Sequence, residues 1–132
     1  MLSPVTARQL DRARQRYAEI GLEELPSGAG LVSIPRFALP PGWNADATCV
    51  RFLVPVGYPG PNPDCFWAST GLRLANGQMP QASEDSRAIP ETAHAGLWFS
   101  WHVVDAQRNW NPNRDDLATY VGIIAQRFRH TQ

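Results

Sequence analysis

Ser100 and His102 stand two residues apart in the stretch "LWFSWHVV". In an extended segment, residues i and i+2 share a face, so a hydroxyl and an imidazole can meet there. A serine hydroxyl is a weak nucleophile until a base takes its proton. Neutral imidazole titrates near working pH and suits that task. Asp105 or Asp115 is available in sequence to orient the ring. Plainer readings stand beside this one. Ser-x-His recurs by chance, a histidine among aromatics is often a satisfied structural group, and Asp115 also sits where a helix needs an N-cap. No G-x-S-x-G elbow accompanies the pair, which weighs against a hydrolase of the usual kind.

Of the two cysteines, Cys49 reads as structural and Cys65 reads either as a nucleophile on a stiff loop or as part of a rigid corner. Cys49 alternates with Arg51 and Leu53 against Val50, Phe52 and Val54, and so reads as a small buried residue on a strand. Cys65 ends the proline ladder "GYPGPNPDCFW". Each proline fixes φ, which forces a stiff connector poor in hydrogen bonds, and Phe66 and Trp67 would anchor it in the core. Two cysteines sixteen residues apart make neither a disulfide framework nor a zinc site. His94 and His130 have no partner pattern, so neither a metal nor a cofactor is expected. Trp98, Trp101 and Trp110 read as core or binding-surface aromatics.

The elements that position these residues follow from periodicity. Ser3 can cap a helix with Pro4 in its first turn. Thr6, Leu10, Ala13, Tyr17 and Ile20 line one face, Arg8, Arg12, Arg16 and Glu19 the other, and Gly21 ends it. "LVSIPRFAL" and "ATCVRFLVPV" read as antiparallel strands joined by "PPGWNAD". Residues 68–96 show an Asn76-Gly77 turn and otherwise little periodicity, so a long loop over the active-site side is expected there. A further strand-like run, "LWFSWHVV", precedes a last helix with Leu117, Tyr120, Val121, Ile124 and Phe128 inward and Asp115 or Asn113 as its cap. The layout is α+β.

Composition narrows the function classes. The chain has 132 residues and balanced charge, twelve basic against twelve acidic. That fits one domain over 1–132 and gives no electrostatic footprint for nucleic acid or an anionic membrane. No apolar run nears the ~20 residues of a membrane span, and the charged N-terminal segment lacks the apolar block of a signal peptide. A cytoplasmic location is the resulting expectation. All twelve basic residues are arginine, as a GC-rich genome would produce. A protein that handles activated acyl groups would also gain by lacking side-chain amines.

The order of these pieces carries a resemblance. An N-terminal helix, a meander ending in "YPGPNPDCFW", and Trp110-Asn111-Pro112 before a last helix resemble ubiquitin-conjugating (E2) enzymes. "LPPGWN", "LRLANGQMPQA" and "WNPNRDDLATYV" are similar to a bacterial E2-like family that accompanies ubiquitin-like, E1-like and JAB-type peptidase proteins. The resemblance implies a UBC fold and, as partners, a ubiquitin-like protein and an E1-like adenylating enzyme. In E2 enzymes the acceptor cysteine precedes the tryptophan of "WxP" by roughly eight to ten residues, and ten residues before Trp110 stands Ser100. Cys65 lies elsewhere, on the connector, so the resemblance implies a structural role for it. The resemblance therefore implies Ser100 as acyl acceptor with His102 as base and Asp105 or Asp115 behind it, giving an oxyester. A backbone N–H or the side chain of Asn109 or Asn111 would hold the oxyanion. The alternative is a catalytically silent E2-fold module that only binds a ubiquitin-like protein or its E1 partner.

Overall fold

A computed structural model describes residues 3–132; the first two residues of the N-terminal segment lie outside it. Two helices bracket a six-stranded antiparallel sheet, the α+β layout expected from the sequence. Helix α1 (Pro4–Arg14) starts where the cap residues place it, with Ser3 Oγ accepting from the Thr6 N–H at 3.1 Å. It stops at Arg14, seven residues short of Gly21. Beyond it the chain turns, and Arg14 Nε donates to the Ile20 carbonyl at 3.4 Å. Tyr17 and Ile20 still reach the core, Tyr17 by stacking on Phe37, but from turns and not from a helix face. Gly21, read as a stop signal, instead opens strand β1 (Gly21–Glu24).

The sheet continues with β2 (Gly30–Ala38), β3 (Ala47–Val54), β4 (Phe66–Ala68), β5 (Ser83–Ala88) and β6 (Ala95–Phe99), in the order β1-β2-β3-β4-β6-β5. The expected β2–β3 pair forms, with Ile34 opposite Val50. The register slips by one residue between Ile34 and Phe37. Pro35 has no N–H for the ladder, so a bulge is the economical answer there.

Residues 68–96 are not the structureless loop that their composition predicts. "SEDSRA" (Ser83–Ala88) pairs with β6 as the edge strand β5. It has almost no β propensity of its own; β6 supplies the template, and its charged side chains suit an edge open to water. Before it, the Asn76-Gly77 turn forms as read, closed by hydrogen bonds from Gly77 N to Leu74 O and from Leu74 N to Gln78 O.

One face of the sheet packs under helix α2 (Leu117–Arg129). Val32, Val50, Phe52, Phe66, Leu97 and Phe99 meet Leu117, Tyr120, Val121, Ile124 and Phe128 in the main core. Phe128 is the hub, with its ring 5.4–5.7 Å from Phe37, Trp43, Phe66 and Phe99. The other face carries a smaller cluster of Leu25, Leu31, Trp67 and Ile89. The cap of α2 is Asp116, one residue past the expected Asp115: its carboxylate accepts from Thr119 N at 2.9 Å, and Thr119 Oγ1 accepts from Asp116 N.

Candidate functional site

Strands β4 and β6 build the site by pairing head to tail. Phe66 lies opposite Phe99, Trp67 opposite Trp98 and Ala68 opposite Leu97. Extending that register beyond the sheet brings the residues before Phe66 alongside those after Phe99. Asp64 and Cys65 therefore come to Ser100, Trp101 and His102, and Cys65 N donates to Trp101 O at 3.2 Å.

Two features keep this crossing in place. Gly96 in β6 lies so close to β4 that a Cβ there would meet the Ala68 carbonyl oxygen at 2.3 Å. Cys65 adopts a left-handed conformation (φ 61°), and its carbonyl accepts the hydroxyl of the buried Tyr120 at 2.8 Å. Adjacent residues of a straight strand point to opposite faces. The left-handed turn removes that alternation, so Asp64 and Cys65 both reach the same imidazole.

The imidazole is His102. Its Nε2 lies 3.3 Å from Ser100 Oγ, and its Nδ1 lies 2.5 Å from Asp64 Oδ1. Cys65 Sγ is 3.9 Å from the same Nδ1. The hydrogen bond that the ring donates to the Asp64 carboxylate raises its basicity above that of free imidazole. Burial opposes that shift without cancelling it, and the charges of Asp64 and then Asp105 add smaller upward pushes. Burial and the Asp64 carboxylate push the Cys65 thiol up, away from the thiolate.

Each residue singled out from the sequence has a definite place. Ser100 and His102 meet as the spacing predicts. Asp105 does not touch the ring; its Oδ2 accepts the His102 backbone N–H at 2.8 Å and starts the short 3-10 turn Val103–Ala106. Asp115 is buried elsewhere, accepting from Arg108 at 2.5 Å, from Arg114 at 3.1 Å and from the Asn111 N–H at 2.8 Å. Its carboxyl is held well below the usual range, by the Arg114 hydrogen bond first and then, against burial, by Arg108 and the Asn111 N–H. It locks the loop ahead of α2. Asn111 Oδ1 is taken by the Asn113 N–H, whereas Asn109 faces an open groove of about 450 Å³ that runs past Asp64, His102 and Arg108 to Trp110.

Sequence reasoning missed Asp64, the residue that orients the ring. The signal lay in "DCFW" and "LWFS", two aromatic runs whose antiparallel pairing carries Asp64 to His102, but only once their register is known. It also missed a support beneath Ser100. The buried Arg127 donates to Gln81 O at 2.9 Å, and the next carbonyl, Ala82 O, accepts the Ser100 N–H at 2.8 Å. Trp110 anchors the proline ladder, as its Nε1 donates to Pro59 O at 2.8 Å.

Among the described residues no helix is long and apolar enough to cross a membrane. Over residues 8–131 the sequence matches the family described as Prokaryotic E2 family E. No curated protein and no solved structure matches the chain.

Proposed function

The chain belongs to prokaryotic E2 family E, and from that premise we propose that it takes the C-terminal acyl group of a ubiquitin-like protein from an E1-like enzyme onto Ser100. Family membership gives the coarser part, an E2-like role in a conjugation pathway. The observation that carries the finer part is the order Asp64–His102–Ser100, at 2.5 Å and 3.3 Å. A carboxylate behind an imidazole behind a hydroxyl is the arrangement that activates a serine in acyl transfer.

In this reading Ser100 Oγ attacks the thioester carbonyl that joins the ubiquitin-like protein to the E1-like cysteine. His102 Nε2 takes the hydroxyl proton as the Oγ–C bond forms. Asp64 holds the opposite ring nitrogen, fixing the tautomer and balancing the imidazolium. The C–S bond then breaks, the E1 thiolate leaves, and His102 returns the proton to it. The product is an oxyester on Ser100. The groove beside His102 accommodates the extended tail, with Asn109 available as an oxyanion donor.

The test is a charging assay with ATP, the E1-like enzyme and the ubiquitin-like protein. Expected is an adduct that survives thiol reductant, breaks in alkali and disappears in Ser100→Ala, with His102→Gln slowed by roughly 100-fold or more. A reductant-sensitive adduct lost in Cys65→Ala would relocate the acceptor. Partner binding without any adduct would make the protein a non-catalytic E2-fold module.

A further inference from the structure

Asp64 Oδ1, Cys65 Sγ and His102 Nδ1 all lie within 4.8 Å of one another. Among the described residues this is the group of carboxylate, thiol and imidazole that converges on a single point. We propose that it is a zinc site, with three protein ligands and one water, and that its occupancy switches off the acceptor serine. The second clause rests on the acyl-transfer reading above; the first does not.

The donor set suits zinc. Tetrahedral Zn²⁺ takes thiolate sulfur, imidazole nitrogen and carboxylate oxygen at about 2.0–2.3 Å, which puts bound ligand atoms about 3.5 Å apart. The Cys65–His102 pair at 3.9 Å has to close slightly, and the Asp64–His102 pair at 2.5 Å has to open by about 1 Å. Asp64 has the freedom to do so, since its side chain is 57 % exposed. The fourth position opens on the groove that borders Asp64 and His102, where water is available.

The surroundings supply what such a site needs besides ligands. A ligating histidine commonly gives its other ring N–H to a neighbour that fixes the tautomer, and Ser100 Oγ stands 3.3 Å from His102 Nε2 for that purpose. The left-handed Cys65 turn, tied down by Tyr120, already points sulfur and carboxylate the same way.

The functional consequence follows from proton accounting. Zinc displaces the Cys65 thiol proton to solvent and takes the Nδ1 lone pair of His102. The ring proton then resides on Nε2, the atom that must accept the Ser100 proton. The base is lost while the metal is bound. Binding strengthens with rising pH because the thiol must ionise.

The experiment is titration of the full chain with Co²⁺ as a spectroscopic probe, followed by displacement with Zn²⁺. Expected are one equivalent of tetrahedral Co²⁺ with a thiolate charge-transfer band and an affinity loss of about 100-fold or more in Cys65→Ser. His102→Gln loses the site too, and Cys49→Ser keeps it. In the charging assay, zinc stops adduct formation by wild type and leaves that by Cys65→Ser unchanged. No thiolate band in wild type, or a band that persists in Cys65→Ser, overturns the site. A charging reaction that proceeds under saturating zinc overturns the switch. Because Co²⁺ binding is read without any partner, a metal site with no adduct would sink the acyl-transfer reading alone, and an adduct with no metal site would sink this one alone.

Discussion

At the scale of single residues, the decisive relation is between His102 and Asp64. The carboxylate makes the ring more basic, so the free base accumulates only as pH rises above that elevated value. Asp64→Asn removes the charge, and the ring should return toward its ordinary pKa of about 6.5. The acid limb of the charging rate is therefore expected to move to lower pH. The plateau should still fall by roughly 100-fold, because the amide can hold the wrong tautomer and cannot balance an imidazolium. A rate profile from about pH 5 to 9 checks this; an acid limb that stays in place would mean Asp64 does not set the basicity of the ring. Ser100 and His102 were legible because two residues of spacing in an extended segment is a local fact. Asp64 was not, being 38 residues from His102 and brought there by strand pairing.

At the scale of elements, the β4–β6 pair determines the site. Gly96→Ala would drive a Cβ into the Ala68 carbonyl at 2.3 Å, and backbone cannot swing aside as a flexible side chain does. Expected is a loss of about 1–3 kcal/mol in urea unfolding, with a further fall in charging as Asp64 shifts against His102. Gly122→Ala is the matched control. It lies within α2 with nothing within 4 Å of the added carbon, and it should stabilise by up to about 1 kcal/mol. Equal effects of the two substitutions would show that strand approach at Gly96 is unimportant. The same element logic explains why α1 ends early and why a strand lies in the expected loop. Tyr17 and Ile20 bury apolar surface with helix-like spacing, yet they do so from turns; "SEDSRA" lacks strand character, yet it pairs because β6 has a free edge.

At the scale of the whole molecule, acid stability turns on buried carboxylate pairing. Asp115 has a fully buried side chain and a carboxyl held well below the usual range by Arg114 and Arg108. Its contribution is present above the unfolded pKa, about 3.9, and is lost as pH falls from there through the folded value. Asp85 adds in the same direction: burial works against it, but Arg73 at 2.7 Å and the N–H groups of Ser86 and Gly71 bring its carboxyl down. His102 has the opposite sign, since a raised pKa stabilises below about 6.5 and is lost as pH rises, and its exposure keeps that term small. Thermal melts should therefore show a steep loss below about pH 4. Asp115→Asn should remove on the order of 2 kcal/mol at neutral pH and flatten the acid branch. An unchanged acid branch would place the sensitivity in other carboxylates.

The amino-acid sequence by itself determined what is local or periodic: the Ser3-Pro4 start of α1, the β2–β3 pair, the apolar stripe of α2, and the meeting of Ser100 with His102. It also held the order of segments that marks an E2-like chain, because motif order needs no coordinates. What only the tertiary structure decided is the register of "DCFW" against "LWFS". Strand pairing has a period of two, and nothing in either run states which residue faces which. One step of slip would carry Asp64 and Cys65 away from His102, leaving a hydroxyl and an imidazole with neither a carboxylate nor a thiol beside them. Close approach at Gly96, the left-handed turn at Cys65 and the Tyr120 hydroxyl beneath it select the observed register, and each depends on atoms far apart in the chain.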